Sequence, residues 1–458
     1  MAEHPLLNIL KTHPEYGRLA ANLASGAGCA AVFGLGEAHR THVAAGLFAE
    51  CKRTLLVVTA NETSAARIAE DAAYYVKEVR HLPARETPLG GRAVAASAGL
   101  AARRVEALAA LACGEKLMLV VSAEALLQRL APPAALTASA QSLRLGQRIN
   151  LRALAASLVD AGYERVDLCE GKGQFCLRGG YLDLYPITAE LPVRVELFDD
   201  EIDTMRTYDP ASQRSVENVE SCAIPPASEA PLTARAREAG MRAMRRKPRL
   251  EAEYQSLKEG IAPPGAEKLL PLFYPEAYIT DYLPEDTVIL IDEPQRVEES
   301  AKLAHNNHLE LVSDLVARGE AEPEEAELLG SPMKLIGSLD TPRTAMLFAL
   351  TRTYGLIRPR ELYRFETRPA SRYVGAGEAL AADIINWKKH GYTALIYAGN
   401  HAVRLQDMLL DSGVDAAVTQ RLARPAVPGE ILIAGESVGR GFEYPEIKFV
   451  ALSETELY

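Results

Sequence analysis

The chain has 458 residues, 48% apolar and 24% charged, enough for about three domains with a core each. Its net charge of −11, from 50 Lys+Arg against 61 Asp+Glu, argues against a protein that grips nucleic acid through overall charge. The six cysteines form no CxxC pair and no zinc spacing, and no leader or apolar run of about 18 residues is visible, so a soluble protein of the reducing cytoplasm is expected, with no membrane contact.

The first part alternates apolar strands with alanine-rich helices. CAAVFGL (29–35), TLLVVTA (54–60) and LMLVVSA (117–123) read as strands, and SAARIAEDAAYYVKEV and AARRVEALAALA as helices, which implies a parallel sheet covered by helices. After the first strand, Gly34-Leu35-Gly36-Glu37-Ala38-His39-Arg40-Thr41 has the setting of a phosphate-binding loop. Gly34 and Thr41 fit GxxxxGK[ST], but His39 replaces the second glycine and Arg40 the lysine. Histidine brings a side chain where backbone amides must wrap phosphate, and arginine is no neutral exchange for lysine. A relic loop is therefore expected, with no nucleotide bound.

APPAAL (131–136) marks a break, and a β-rich segment follows, closed by IPPASEAP. Within it, residues 162–209 read as a β-meander. In PVRVELF, Val193, Val195 and Leu197 point one way and Arg194 and Glu196 the other; in QFCLR, Phe175 and Leu177 oppose Gln174, Cys176 and Arg178. Arg165 stands at its start, and Gly179-Gly180 suits a sharp bend. An ordinary solvated sheet face would give the same alternation.

Next come a helical stretch with the basic run Arg242, Arg245, Arg246, Lys247 and Arg249, then DTVILIDEP (286–294), a strand ending in Asp292-Glu293. Those two acids sit where a magnesium-holding pair would lie, but without an intact phosphate loop they have nothing to act on. The basic run could touch DNA or an acidic partner, while a solvated helix face is the ordinary reading of such a pattern. His39/His42 and His305/His308 share an i, i+3 spacing with no third ligand nearby, so no metal is expected. No catalytic residues stand out. A last α/β unit carries YTALIYAGN, HAVRLQDMLLDSG, EILIAGES and EIKFVALSE.

Several stretches, in order, resemble the N-terminal part of the transcription-repair coupling factors (Mfd): HLPARETPL (81–89), LLQRLAPP (126–133), GQRINLRALAASLVDAGYERVD with GQFCLRGGYLDLYP, and GFEYPEIKFVALSETELY at the end. The meander resembles the small domain these factors share with UvrB, through which they dock the damage sensor UvrA. The fold class implied is α/β: a degenerate helicase-like parallel-sheet domain (1–140 and 229–340), an inserted antiparallel β-rich UvrA-docking domain (141–228), and a second small α/β domain (341–458).

By position, the resemblance implies that Arg165, Arg178, Arg194 and Glu196 meet UvrA, with Glu196 orienting Arg194. Cys176 stands where UvrB has a further arginine, which implies a weaker contact. The resemblance further implies a piece of a longer protein. RNA polymerase and DNA would be engaged, and ATP and magnesium used, by domains beyond Tyr458, while this part recruits UvrA to stalled polymerase without catalysis. The rival readings are an ATP-dependent helicase-like protein or a DNA-binding repair protein related to UvrB.

Overall fold

Both faces of the first sheet are covered at its centre, which is why its inner strands read as unbroken apolar runs. The computed structural model describes residues 4–86, 89, 98–263, 265–350, 355–422, 424 and 426–458. Thr87 and Pro88 of the HLPARETPL segment lie outside the described residues. Strands β1 (Ala30–Phe33), β2 (Leu55–Thr59), β3 (Val79–Leu82) and β4 (Met118–Ser122) come from the first part of the chain.

An antiparallel pair, β5 (Gln141–Arg144) with β12 (Ser221–Ile224), frames the β-rich segment. Between them lie β6 (Glu164–Arg165), β7 (Gln174–Arg178), β8 (Tyr181–Leu184), β9 (Val193–Phe198), β10 (Glu201–Tyr208) and β11 (Ser215–Asn218). The chain then returns to the first sheet with β13 (Val288–Asp292), β14 (Thr344–Phe348) and β15 (Glu361–Arg364). That sheet has the order β15-β1-β14-β13-β2-β4-β3, and every pairing in it is parallel.

Alternate residues of these strands feed two cores. Phe33, Val58, Val121, Ile291 and Phe348 pack with the helix Ala98–Ala112 and the segment 266–282. Val32, Val57, Val120, Leu290 and Leu347 pack with the helices Pro14–Ser25, Glu37–Cys51 and Glu62–Ala73.

Two expectations are corrected here. YVKEV does not prolong the helix, which ends at Ala73; Val79 opens β3 instead. β14 and β15, assigned from the sequence to the last unit (341–458), are strands of the first sheet, with β14 beside its centre.

The meander is a six-stranded sheet, β11-β10-β9-β8-β7-β6, antiparallel except between β6 and β7. Its apolar face packs on Leu154 and Leu158 of the helix Leu151–Asp160. Just past β12, Glu229 lies between two arginines of the first domain. It accepts from Arg104 Nη2 at 2.7 Å and from Arg85 Nη1 at 3.0 Å. Arg104 is fully buried and also donates to Gln128 Oε1 at 3.0 Å. Burial would raise the Glu229 carboxyl, yet the two guanidinium groups hold it below the usual carboxylate range.

The last sheet contains β16 (Arg368–Pro369), β17 (Thr393–Tyr397), β18 (Ala417–Thr419), β19 (Ile431–Ala434), β20 (Phe442–Tyr444) and β21 (Phe449–Leu452), in the order β16-β20-β21-β17-β19-β18. Its own core contains Ile384, Ile396, Leu409 and Ile433. Tyr397, Phe442, Tyr444 and Phe449 join the core of the first domain. The architecture is the α/β arrangement expected: a large parallel sheet, an inserted antiparallel β-rich domain and a smaller α/β unit. Among the described residues, no helix is long and apolar enough to cross a membrane.

Candidate functional site

The phosphate-loop positions are occupied by the protein itself. Gly34 leaves β1 at φ +85°, and a Cβ there would stand 2.0 Å from the Phe365 carbonyl oxygen. Glycine is needed, but to let the segment 365–367 cross close above the loop. Thr367 donates its hydroxyl to the Gly34 carbonyl.

His39 is buried, and its Nε2–H donates to the Glu443 carbonyl at 2.9 Å. Its ring meets Tyr444 edge-on at 4.9 Å. Desolvation lowers its pKa to about 4, so the imidazole is neutral at pH 7. Arg40 donates Nε–H to Leu35 O at 3.1 Å, pairs through Nη1 with Asp292, and lies 3.5 Å from Glu293. The structure thus joins the arginine in the lysine position to the acidic pair at the end of β13. Burial pushes the Asp292 carboxyl up, against the pull of Arg40. Glu293 adopts left-handed backbone (φ 54°) and accepts the Ala349 N–H at 2.8 Å.

Thr41 is buried, and the cavity bounded by Arg40, Thr41, Asp292 and Arg440 has a volume of 30 Å³. A wider cleft of 930 Å³ opens beside Gly36 and Ala38, towards the last unit. Its lining mixes Glu37, Glu366, Glu446 and Glu456 with Arg364, Arg372 and Arg440.

His42 and His308, two of the other candidates from the sequence spacing, are held within the fold. His42 contacts Tyr444 Oη at 3.2 Å and Leu6 O at 3.1 Å, while His308 Nε2 meets Glu325 O at 2.9 Å. Among the described residues, no group of three or more His, Cys, Asp or Glu is placed to hold a metal.

On the meander, register explains which side chains share a face. Phe175, Leu184 and Val193 form one inward row, and Leu177, Leu182, Val195 and Met205 the next. The outward rows are Cys176, Asp183, Arg194, Arg206 and Asn218, then Arg178, Tyr181, Glu196 and Thr204. Arg178, Arg194 and Glu196 are therefore neighbours on one face. Arg165 is exposed on the edge strand β6, opposite Phe175 in register.

The partners on this face differ from those expected. Arg194 makes a fork to the buried Asp183, Nε–Oδ1 2.6 Å and Nη2–Oδ2 2.8 Å, and reaches Gln213 Oε1 at 3.2 Å. Its guanidinium lies 4.8 Å from the Tyr208 ring centroid and 5.3 Å from that of Tyr181, leaving the side chain 19% exposed. Glu196 does not orient Arg194. It pairs with Arg206 and accepts from Thr204 Oγ1 at 3.1 Å.

Arg178 is exposed and donates to the Asp167 carbonyl. Cys176 is buried with Cys169 and Tyr185, so its thiol offers nothing to a partner. Tyr208, whose hydroxyl donates to Cys169 O at 3.1 Å, closes the same patch. One part of the outward face is covered by the chain itself, and the part with Arg178, Tyr181, Glu196 and Arg206 is more open.

Sequence reasoning missed Asp183, Arg206 and Tyr208. A register shift between Ile202 and Thr204 makes Ile202 and Met205 both inward, three residues apart. The period of two that picks out Arg194 therefore fails on β10.

A family profile described as the UvrB interaction domain matches residues 142–229, the segment that contains this sheet. The transcription-repair-coupling factor of Bacillus subtilis (strain 168) is 29% identical over 451 residues, covering 93% of this chain and 38% of the relative. Those of Staphylococcus aureus (strain MRSA252) and Staphylococcus epidermidis (strain RP62A) are 25% and 24% identical over the same shares. The chain thus spans little more than a third of the length of these curated relatives. Over nearly all of its length it is similar to the N-terminal part of the transcription-repair-coupling factors, and its charged meander lies within the segment that the UvrB interaction domain profile matches.

Proposed function

We propose that this chain is the non-catalytic recruiting part of a transcription-repair-coupling factor, acting in the cytoplasm and docking UvrA during transcription-coupled excision repair. The observation that carries this reading is the coincidence of the UvrB interaction domain match with an open, charged sheet face bearing Arg178, Glu196 and Arg206. Arg165 flanks it on the edge strand, exposed but in register with Phe175 of an inward row. Exposed guanidinium groups suit charge-assisted hydrogen bonds across an interface. Arg194 supports the face from beneath, through its fork to Asp183. Engagement of RNA polymerase, and ATP-driven translocation along DNA, are assigned to segments that the relatives possess outside the matched region.

The ATPase alternative is disfavoured by the Arg40–Asp292 pair, which fills the position of the phosphate-binding lysine and its acidic partner. Titration calorimetry of the chain with UvrA should give a complex at micromolar concentration or tighter without nucleotide. Absence of a complex rejects the docking assignment. ATP with magnesium should leave the melting temperature unchanged. A saturated site would stabilise the fold by about 2.7 kcal/mol at a ligand concentration about 100 times Kd, and that shift would restore the ATPase reading.

A further inference from the structure

The helix Ala234–Met244 buries Ala236, Gly240 and Met244 at i, i+4, i+8. Its opposite side carries Arg235, Glu238 and Arg242, and the turn that follows adds Arg245, Arg246 and Arg249, all exposed. Residues 234–249 contain seven basic side chains and one acidic, in a chain of net charge −11. Two of the cations serve as struts. Arg237 pairs with Asp160, and Lys247 lies 2.8 Å from both Glu322 and Glu324. Arg242 meets Glu238 at 3.1 Å, but both side chains are more than 70% exposed, so the pair is solvent-screened. Arg249 is 3.8 Å from Glu322. Among the described residues, no ion pair engages Arg235, Arg245 or Arg246.

We propose that this stripe binds the phosphodiester backbone of duplex nucleic acid. A protein partner would need an apolar, desolvated centre, and aromatic anchors are the usual means. The stripe carries no aromatic side chain; between its arginines lie alanines, Glu238, Lys247 and Pro248, while Gly240 and Met244 are buried and Met241 packs against the core. Phosphate needs no such centre, because guanidinium forks meet it directly and without reading sequence. Neutralising phosphates releases their condensed counterions, which makes the contact salt-sensitive. The stripe belongs to a different element from the UvrA-docking face, so the two assignments fail separately.

The test is fluorescence anisotropy of the 458-residue chain with a labelled DNA duplex of arbitrary sequence, roughly 30 base pairs long. Affinity should fall on the order of 100-fold between about 50 and 200 mM salt, as for roughly four neutralised phosphates. Combining Arg242→Glu, Arg245→Glu and Arg246→Glu should abolish binding while melting temperature and UvrA binding stay unchanged. The matching lysine triple should keep the salt dependence. No wild-type binding at low salt, or binding that survives charge reversal, overturns the proposal. Capture of poly-glutamate without capture of duplex overturns it in favour of an acidic polypeptide.

Discussion

Arg178 and Arg194 stand on the same sheet face, yet their side chains do different work. Arg178 is exposed, donates to the Asp167 carbonyl and lies against Tyr181 and Cys176, so its removal leaves no buried charge behind. Arg178→Ala should weaken UvrA binding by about 2 kcal/mol while stability stays within about 0.5 kcal/mol. Arg194 is the sole ion-pair partner recorded for Asp183 among the described residues, and that carboxylate is 2% exposed. Arg194→Ala strands it, and loss of one partner of a buried pair costs about 3 kcal/mol. This variant should lose melting temperature as well as UvrA affinity. Calorimetry beside a thermal melt separates the two cases; equal melting temperatures for both variants would show that Arg194 is a contact residue without a structural part. The alternation of PVRVELF made both arginines legible as outward. It could not reveal Asp183, whose burial depends on the segment 166–171 folding over that face.

At the scale of elements, the strand-loop-helix unit from β1 to Cys51 keeps the outline of a phosphate site and fills it with packing. His39 and His42 do much of this, held neutral by burial with pKa values of about 4 and about 3. Both lie below the 6.5 expected in the unfolded chain, so the unfolded state takes up protons first as the pH falls. Stability is fully present above pH 6.5 and is lost on acidification towards the folded values, by up to about 1.4 kcal/mol per pH unit for each histidine. Urea midpoints measured between pH 7.5 and 5 should decline, and His39→Gln should flatten the profile. The departures from the phosphate-loop pattern were visible in the sequence. The ion pair they lead to was not, because Arg40 and Asp292 are 252 residues apart and only the order of the strands joins them. Local patterns likewise located β1, β2, β4 and β13, whose apolar runs are continuous. They missed β15, because ELYR has a single buried position.

For the molecule as a whole, the inserted domain is held by more than its two connecting strands. Glu229, the last residue of the UvrB interaction domain match, lies between Arg85 and Arg104 and ties the end of the insert to the first domain. Glu229→Gln leaves two buried cations short of their counter-charge and should cost about 3 kcal/mol or more. The isolated segment 141–228, which lacks this residue, should fold as well as before. Hydrogen exchange of both proteins would test this, and an unfolded isolated segment would show that the meander depends on its host. The strand order of the large sheet also bears on how the chain comes off the ribosome. β1 and β2 do not touch; β14 and β13 lie between them, and both are made only after the whole insert. Until about 350 residues have emerged, the early strands have no permanent neighbours on those edges. The meander, whose strands pair almost entirely with their nearest neighbours in sequence, can form within its own stretch of chain. The first domain begun by the growing polypeptide is therefore not the first to fold: the host sheet waits, with apolar edges exposed, for a completion that comes after its guest is finished.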